Sequence, residues 1–138
     1  MLLDINNTQF SITCQQYNCS EFEFNKENTS VILKFKSTQK CEDIFCAYCG
    51  SQDLEIHDNN TTYLKDYPIW FNVVQTLAVK YHRYKCKSCN RVFSEDIGFK
   101  EPETRVTTRA AQWVKALLTL GLSISAVSEL TKIHWNTI

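Results

Sequence analysis

Two cysteine pairs with the same internal spacing constrain this chain more than any other feature. Each pair has the pattern C-x-x-C, in Cys46-Ala47-Tyr48-Cys49-Gly50 and in Cys86-Lys87-Ser88-Cys89-Asn90, with 36 residues between the pairs. The spacing lets two sulfurs from one tight turn bind one ion, and two turns supply the four thiolates of a structural zinc site. The pattern predicts one structural Zn²⁺ ion bound by Cys46, Cys49, Cys86 and Cys89.

The residues around the two pairs fit a two-turn zinc ribbon. Gly50 supplies the positive φ that such a turn commonly needs, and Asn90, a tolerant residue type, stands in the same place after the second pair. The long insert suits a hairpin that joins the two turns. Because four thiolates leave no open coordination position, we expect no catalysis by the metal.

The remaining cysteines, Cys14, Cys19 and Cys41, do not extend this pattern. We interpret them as small, half-buried thiols, although a second metal site is an alternative. A secreted disulfide scaffold is disfavoured because the seven cysteines are an odd number and the N-terminus has no signal-peptide pattern. We expect a reducing, cytoplasmic environment, and no apolar run approaches the length of a membrane span.

The zero net charge of the chain hides a division of charge along it. Residues 1–60 carry nine acids and four lysines, a net charge of −5, whereas residues 80–115 carry nine bases and four acids, a net charge of +5. The basic second half suggests a surface that faces a polyanion. Two ordinary solvated surfaces would explain the same net charges, so charge alone does not decide whether the second half binds a polyanion.

The first segment, residues 1–40, is predicted to be a small β region. Apolar and polar residues alternate over 20–24 and over 30–35, with polar turn residues at 26–28, which predicts a hairpin. Phe10 and Ile12 suggest a third strand. Nothing in this segment points to chemistry.

The second segment, residues 41–100, is predicted to be the zinc-ribbon domain. Residues 51–62 are polar and turn-rich, and a long apolar stretch follows over 67–79. This stretch merges into a strand that leads to Cys86, and a short strand leaves the second pair at Val92-Phe93.

The third segment, residues 101–138, shows the period of about 3.6 residues that is typical of helices. A first helix is predicted to be capped by Thr107 or Thr108 and to end at Gly121, and Ser123 caps a second helix. The second helix is predicted to span Ile124 to Thr131, with Ile124, Val127 and Leu130 facing inward and Glu129 facing outward. A third helix is predicted to begin at Trp135.

Two helices and the start of a third resemble a helix-turn-helix, whose recognition helix lies in the major groove of DNA. Arg105, Arg109 and Lys115 lie near the start of the first helix, where they would contact phosphates. Trp135 and Asn136 would lie near base edges. The alternative is a helical hairpin that only packs against the ribbon, and Trp135 is then a core residue.

The order of these features resembles the N-terminal part of bacterial insertion-sequence transposases of the ISL-three type. The resemblance covers nearly the whole chain, and the sequence departs from the family pattern at Ala47, Asn90 and Lys132, where Pro, Gly and Gly are usual. The matching segments are Cys46-Ala47-Tyr48-Cys49-Gly50, residues 82–89, Val92-Phe93-Ser94-Glu95, Arg105-Val106-Thr107-Thr108-Arg109 and residues 123–138.

The resemblance implies an α+β chain with a small β region, a four-cysteine zinc ribbon and a helix-turn-helix truncated in its recognition helix. Such transposases cut DNA with three carboxylates of an RNase H-like domain and two divalent metals, all downstream of this segment. We therefore expect a non-enzymatic fragment that binds the terminal inverted repeats of its element in double-stranded DNA. Its expected location is the bacterial cytoplasm, near the nucleoid, with no membrane and no small-molecule substrate.

On this hypothesis, the zinc ribbon and its basic strand track phosphates. The residues predicted to contact DNA are Lys80, Arg83, Lys85, Lys87, Arg91, Arg105, Arg109, Lys115, Trp135 and Asn136. One alternative is a protein-interaction module that forms a homodimer, with the apolar residues 67–79 buried against the partner. Another is a natural truncated product that competes with full-length transposase.

Overall fold

A five-stranded sheet followed by two helices makes up the described part of the chain, so the mixed α+β class is confirmed. The computed structural model describes residues 17–66, 73–134 and 136–138. The strand predicted at Phe10 and Ile12 lies outside these residues. The elements are β1 (Tyr17–Phe24), β2 (Ser30–Ser37), β3 (Leu54–Lys65), β4 (Val74–Cys86), β5 (Val92–Ser94), α1 (Thr108–Thr119) and α2 (Ile124–Thr131), with a 3-10 turn at Cys41–Asp43.

The predicted first hairpin is confirmed, because β1 and β2 pair in antiparallel fashion. Its turn is held by Asn25, whose backbone N–H donates to the carbonyl of Ser30 at 3.1 Å and whose side-chain oxygen accepts from the N–H of Thr29 at 2.8 Å. Asn28 adopts a positive φ of 56°, which Asn tolerates better than most residues. The polar residues between the two strands therefore form the turn directly.

The sheet has the strand order β1-β2-β4-β3, with β5 beside the end of β4. Since β2 and β4 are parallel neighbours, strands from both sides of residue 40 belong to one sheet. The domain boundaries predicted at residues 40 and 100 stay predictions. The antiparallel hairpin of β3 and β4 runs from one cysteine pair to the other, as the long insert suggested.

Residues 51–62 are polar and turn-rich in composition, but from residue 54 onward they belong to β3. The polar run from Asp58 to Thr62 lies in the middle of this strand and pairs with residues 79–83 of β4. β3 has a sheet neighbour on one side, and most of this polar run is exposed to solvent. Pairing of its backbone with β4 therefore decides its conformation, since strand preference depends strongly on context.

One face of the sheet carries the main core, and the loop after β5 covers it through Ile97 and Phe99. The described part of the apolar stretch 67–79 contributes Leu77 and Val79 to this core, so these side chains are buried within the chain itself. Residues 67–72 lie outside the described residues. The buried core residues are Tyr17, Val31, Leu33, Phe35, Leu64, Leu77, Val79, Ile97 and Phe99.

Both helix starts are capped as predicted. The side-chain oxygen of Thr107 accepts from the N–H of Ala110 at 3.2 Å, and that of Ser123 accepts from the N–H of Ala126 at 3.1 Å. These bonds satisfy N–H groups that have no partner within the helix. Thr107 rather than Thr108 is the first cap.

The predicted inward face of α2 is partly wrong. Val127 is buried and Glu129 is exposed as expected, but Ile124 and Leu130 are 52% and 55% exposed. Thr131, one turn after Val127, takes the inward position that Leu130 was expected to hold. Because α2 has only eight residues, its contact with α1 is short, and Ile124 at its first position lies outside the buried cluster of the tail.

The predicted start of a third helix is not confirmed. Residues 136–138 of the described chain contain a turn and no helix, and the N–H of Thr137 donates to the carbonyl of His134 at 2.8 Å. Trp135 lies outside the described residues. Among the helices that the structure describes, none has the length and apolar character needed to cross a membrane.

A buried carboxylate ties the helical tail to the sheet. Asp66, directly after β3, accepts hydrogen bonds from the side chains of Gln75 at 2.7 Å, Thr107 at 2.7 Å and Arg109, whose Nε lies at 2.8 Å. The backbone continues this link, because the N–H of Lys65 donates to the carbonyl of Arg105 at 2.8 Å. The first turn of α1 is thereby attached to the end of the β3–β4 hairpin.

Candidate metal centre and basic surface

The first cysteine pair forms a tight turn, the first knuckle, over residues 46–51. The N–H of Cys46 donates to the carbonyl of Ser51 at 2.8 Å, and the N–H of Gly50 donates to the carbonyl of Cys46 at 3.0 Å. Gly50 has a φ of 75°, as its position predicted.

The second pair forms a matching turn, the second knuckle, over residues 86–91. The N–H of Cys86 donates to the carbonyl of Arg91 at 2.9 Å, and the N–H of Asn90 donates to the carbonyl of Cys86 at 2.8 Å. Asn90 has a φ of 61°, which confirms that it replaces the glycine of the first knuckle. Both knuckles therefore repeat the same hydrogen bonds at the same positions.

The two knuckles bring their four sulfur atoms together. The Sγ atoms of Cys46 and Cys89 are 3.7 Å apart, those of Cys49 and Cys86 are 3.5 Å apart, and all four lie within 4.8 Å of one another. A disulfide bond is about 2.05 Å long, so these sulfurs are not bonded. Four sulfurs at about 2.3 Å from a tetrahedral metal would be about 3.8 Å apart. The cluster could therefore hold a metal ion.

Backbone N–H groups point at the first sulfur of each pair. Those of Tyr48 and Cys49 lie 3.4 and 3.5 Å from the Sγ of Cys46. Although burial raises the pKa of Cys46, these donors lower it to about 6, and the N–H groups of Cys89 and Ser88 likewise lower the pKa of Cys86. Both knuckles thus favour a thiolate at their first cysteine, which is the form that binds metal.

The sulfur cluster sits on a small core of its own. Cys46 and Cys86 are buried with Leu54, and partly buried hydrophobic residues pack around them. Cys41 is one of these neighbours, and it is half-buried as predicted, as is Cys19. Cys14 lies outside the described residues. Cys41 does not belong to the four-sulfur group found in the described part of the chain.

The contacts between the two knuckles also repeat. The third residue of each knuckle contacts the last residue of the other. The hydroxyls of Ser88 and Ser51 are 3.0 Å apart, and the Cζ of Arg91 lies 4.9 Å from the centroid of the Tyr48 ring. Tyr48, Ser51 and Ser88 were not identified from the sequence. The signal was present, because these residues occupy equivalent positions in the two repeats.

The cations predicted along β4 do not form one continuous basic face. Side chains alternate along a strand, so Lys80 lies on the opposite face from Arg83 and Lys85. Arg83 forms an ion pair with Asp58 at 3.0 Å, and Lys85 lies directly across from Glu55 of β3. Acids on the neighbouring strand therefore offset part of the charge that the sequence assigned to this strand.

Lys87 and Arg91, in contrast, project from the second knuckle and are exposed. The side chains of these two cations have no hydrogen-bond acceptor within the described residues. Arg105 and Lys115, near the start of α1 and within it, are exposed as well, and so is Asn136. Trp135 remains outside the described chain.

Arg109, another of the predicted phosphate contacts, is paired within the chain. Its guanidinium forms an ion pair with the buried carboxylate of Asp66, and its side chain is only 13% exposed. The sequence did not reveal this partner, which lies 43 positions earlier in the chain. The Arg-x-Thr-x-Arg segment thus contains one exposed arginine, Arg105, and one that attaches α1 to the sheet.

No family model, no curated protein and no solved structure matches this chain. The fold and the site define a mixed α+β protein, dominated by its sheet, with a four-cysteine cluster that could hold a metal.

Proposed function

We propose that this chain is a DNA-binding module of an insertion-sequence transposase, and that its four clustered cysteines hold a structural zinc ion. The module recognises the terminal inverted repeats of its element and performs no catalysis itself. The observation that carries the proposal is the meeting of two matched knuckles in one four-sulfur cluster, at the end of a hairpin whose second strand leads to a cationic knuckle. The order of motifs that resembles such transposases supports it.

Zinc is the metal that best suits these ligands. Four thiolates in a tetrahedron are typical of structural zinc sites, and the sulfur separations of 3.5 and 3.7 Å fit bonds of about 2.3 Å. Because the set is complete with protein ligands, the ion takes no substrate or water. Its role is to hold the two knuckles, and the strands that end in them, in a fixed arrangement.

DNA binding is supported by the exposed cations. Lys80, Lys87, Arg91, Arg105 and Lys115 take part in none of the ion pairs found among the described residues. They lie on β4, the second knuckle and the start of the helical tail, so their charge is available to phosphates. Phosphate contacts release counterions, and binding must then weaken steeply as salt is added.

One experiment tests both parts of the proposal. The purified chain is analysed for metal, and its binding to a duplex of the terminal inverted repeat is compared with a scrambled duplex by gel shift over a series of salt concentrations. We expect about one zinc per chain and tighter binding to the repeat. Absence of zinc with full folding in chelator would overturn the metal assignment, and absence of any binding at low salt would overturn the DNA assignment.

A dimerisation module is the second candidate, and exposed apolar residues favour it. Leu120, Ile124 and Leu130 of the helical tail are 77%, 52% and 55% exposed, so apolar surface is available to a partner. Light scattering without DNA distinguishes the candidates. A stable dimer that Leu120→Ser and Ile124→Ser disrupt, in a chain with no affinity for DNA, would support dimerisation in place of DNA binding.

A further inference from the structure

We infer that the outer surface of the paired knuckles is a contact site for the phosphate backbone of double-stranded DNA. We term this surface the knuckle face and define it by Tyr48, Lys87, Ser88 and Arg91. The inference rests on the proposed function and adds to it a particular contact surface on the metal-binding end of the chain.

Arg91 is held in a geometry that leaves its hydrogen-bond donors free. The Cζ of its guanidinium lies 4.9 Å from the centroid of the Tyr48 ring, which is a cation–π contact. No acceptor among the described residues engages its N–H donors. A guanidinium with free donors can bind two oxygens of one phosphate.

A row of aromatic rings fixes this arginine in place. Tyr48 meets Phe93 edge to face at 6.4 Å, and Phe93 packs at 5.7 Å against Tyr84, which is fully buried. Tyr48 itself is 56% exposed, so the row extends from the core to the surface. The ring beside Arg91 is therefore held by contacts that reach the buried core.

Two more donors lie on the same knuckle. The backbone of Lys87 is anchored by its N–H, which donates to the carbonyl of Asp53 at 2.9 Å, while its ammonium group is exposed. The hydroxyl of Ser88 lies 3.0 Å from that of Ser51. An arginine, a lysine and a serine hydroxyl are groups that proteins commonly use for DNA phosphates.

Two other cations of the sheet, in contrast, are already paired with acids. Lys34 lies 3.3 and 3.6 Å from the carboxylates of Glu21 and Glu23, and Arg83 lies 3.0 Å from Asp58. To bind a phosphate, each of these cations would have to break its ion pair with a carboxylate of the chain. Lys87 and Arg91 take part in no ion pair within the described residues, so a phosphate does not have to displace an acid from them.

The test uses the full chain, loaded with zinc, and a duplex of the terminal repeat. Binding is measured against salt concentration for the wild type, Arg91→Ala, Lys87→Ala and Lys26→Ala. Lys26 is the matched control, because it is an exposed cation in the turn between β1 and β2. We expect each knuckle variant to weaken binding about tenfold and to lower the slope of log Kd against log salt by about 0.9, the value for one phosphate contact.

Two further variants separate charge from geometry. Arg91→Lys keeps the charge and should retain the slope with a weaker affinity, since lysine cannot bind a phosphate in a bidentate manner. Tyr48→Ala should weaken binding about threefold because the platform of Arg91 is lost. Zinc content and circular dichroism of every variant report whether the knuckles are intact.

The outcomes are distinguishable. If the wild type binds the duplex and the zinc-loaded Arg91→Ala and Lys87→Ala both keep the slope of Lys26→Ala, the knuckle face is not a contact and the proposed function stands. If the wild type does not bind DNA, the proposed function and this inference fail together. If one knuckle variant loses zinc, the other decides the result.

Discussion

Asp66 and Arg109 form a buried ion pair that joins the end of β3 to the first turn of α1. The carboxylate of Asp66 is fully buried and the side chain of Arg109 is 13% exposed. Gln75 and Thr107 donate to the same carboxylate, so its charge is balanced and its oxygens are hydrogen-bonded. This cluster sets the position of the helical tail on the sheet, and with it the distance between the two parts that we propose bind DNA.

Replacing Asp66 by Asn should destabilise the chain strongly. The change leaves the guanidinium of Arg109 buried without its counter-charge, which costs about 3–5 kcal/mol. Asp58→Asn is the matched control, because it removes a carboxylate from the half-exposed pair with Arg83 and should cost less than about 1 kcal/mol. Denaturant unfolding measures both, and equal costs would contradict the structural role of Asp66.

Removal of a metal ligand should unfold the knuckles. We expect Cys86→Ser to lose bound zinc and to lower the midpoint of thermal unfolding, because metal binding and folding are coupled in such sites. Cys41→Ser is the control, since Cys41 packs beside the cluster without belonging to it, and it should keep one zinc per chain. Zinc loss in the Cys41 variant alone would show that the ligand set has been misassigned.

The raised pKa of the buried Tyr84 phenol predicts that the folded chain loses stability at alkaline pH. Burial, together with the nearby charges of Glu95 and Cys41, raises the pKa of this phenol, whose hydroxyl donates to the side chain of Gln39 at 3.1 Å. For a group with a raised pKa, the stabilisation is complete below the ordinary value of about 10 and is lost as pH rises beyond it. Tyr84→Phe should cost about 1 kcal/mol at pH 8, from the lost hydrogen bond.

The difference in free energy of unfolding between the wild type and Tyr84→Phe should then become smaller above about pH 10, because only the wild type has this phenol to ionise. Unfolding free energies measured between about pH 8 and 11 give the comparison. Tyr63→Phe serves as the control, since the side chain of Tyr63 is 58% exposed. If the difference in free energy of unfolding between the wild type and Tyr84→Phe stays constant over this range, the prediction is contradicted.

Lys132 ends α2 in a conformation that suits glycine. It is the C-terminal cap with a φ of 60°, where a side chain is strained. Lys132→Gly should therefore stabilise the chain by about 0.5–1 kcal/mol. Lys115→Gly should have the opposite sign, a cost of about 1 kcal/mol, because Lys115 lies inside α1. Thermal unfolding compares the two, and destabilisation by Lys132→Gly would show that the lysine side chain makes a compensating contact.

The two knuckles of the four-cysteine cluster were predictable because residues close together in the sequence form each of them. A C-x-x-C turn with Gly50 or Asn90 after it folds into a knuckle through hydrogen bonds within six residues, and the sequence shows both knuckles directly. The cap residues Thr107 and Ser123 and the hairpin turn near Asn25 are local in the same way. Each depends on a side chain and on backbone groups a few positions away.

The rest depended on neighbours that are distant in the chain. β3 is a strand although it is polar, because its backbone pairs with β4, and Arg109 is a structural residue because Asp66 lies beside it in space. Periodicity alone placed Leu130 inside, but the short contact between two helices left it at the surface. The sequence by itself therefore determined the cysteine knuckles and the helix starts. Only the tertiary structure decided which cations are free for a partner, since that depends on which acids the fold places next to them.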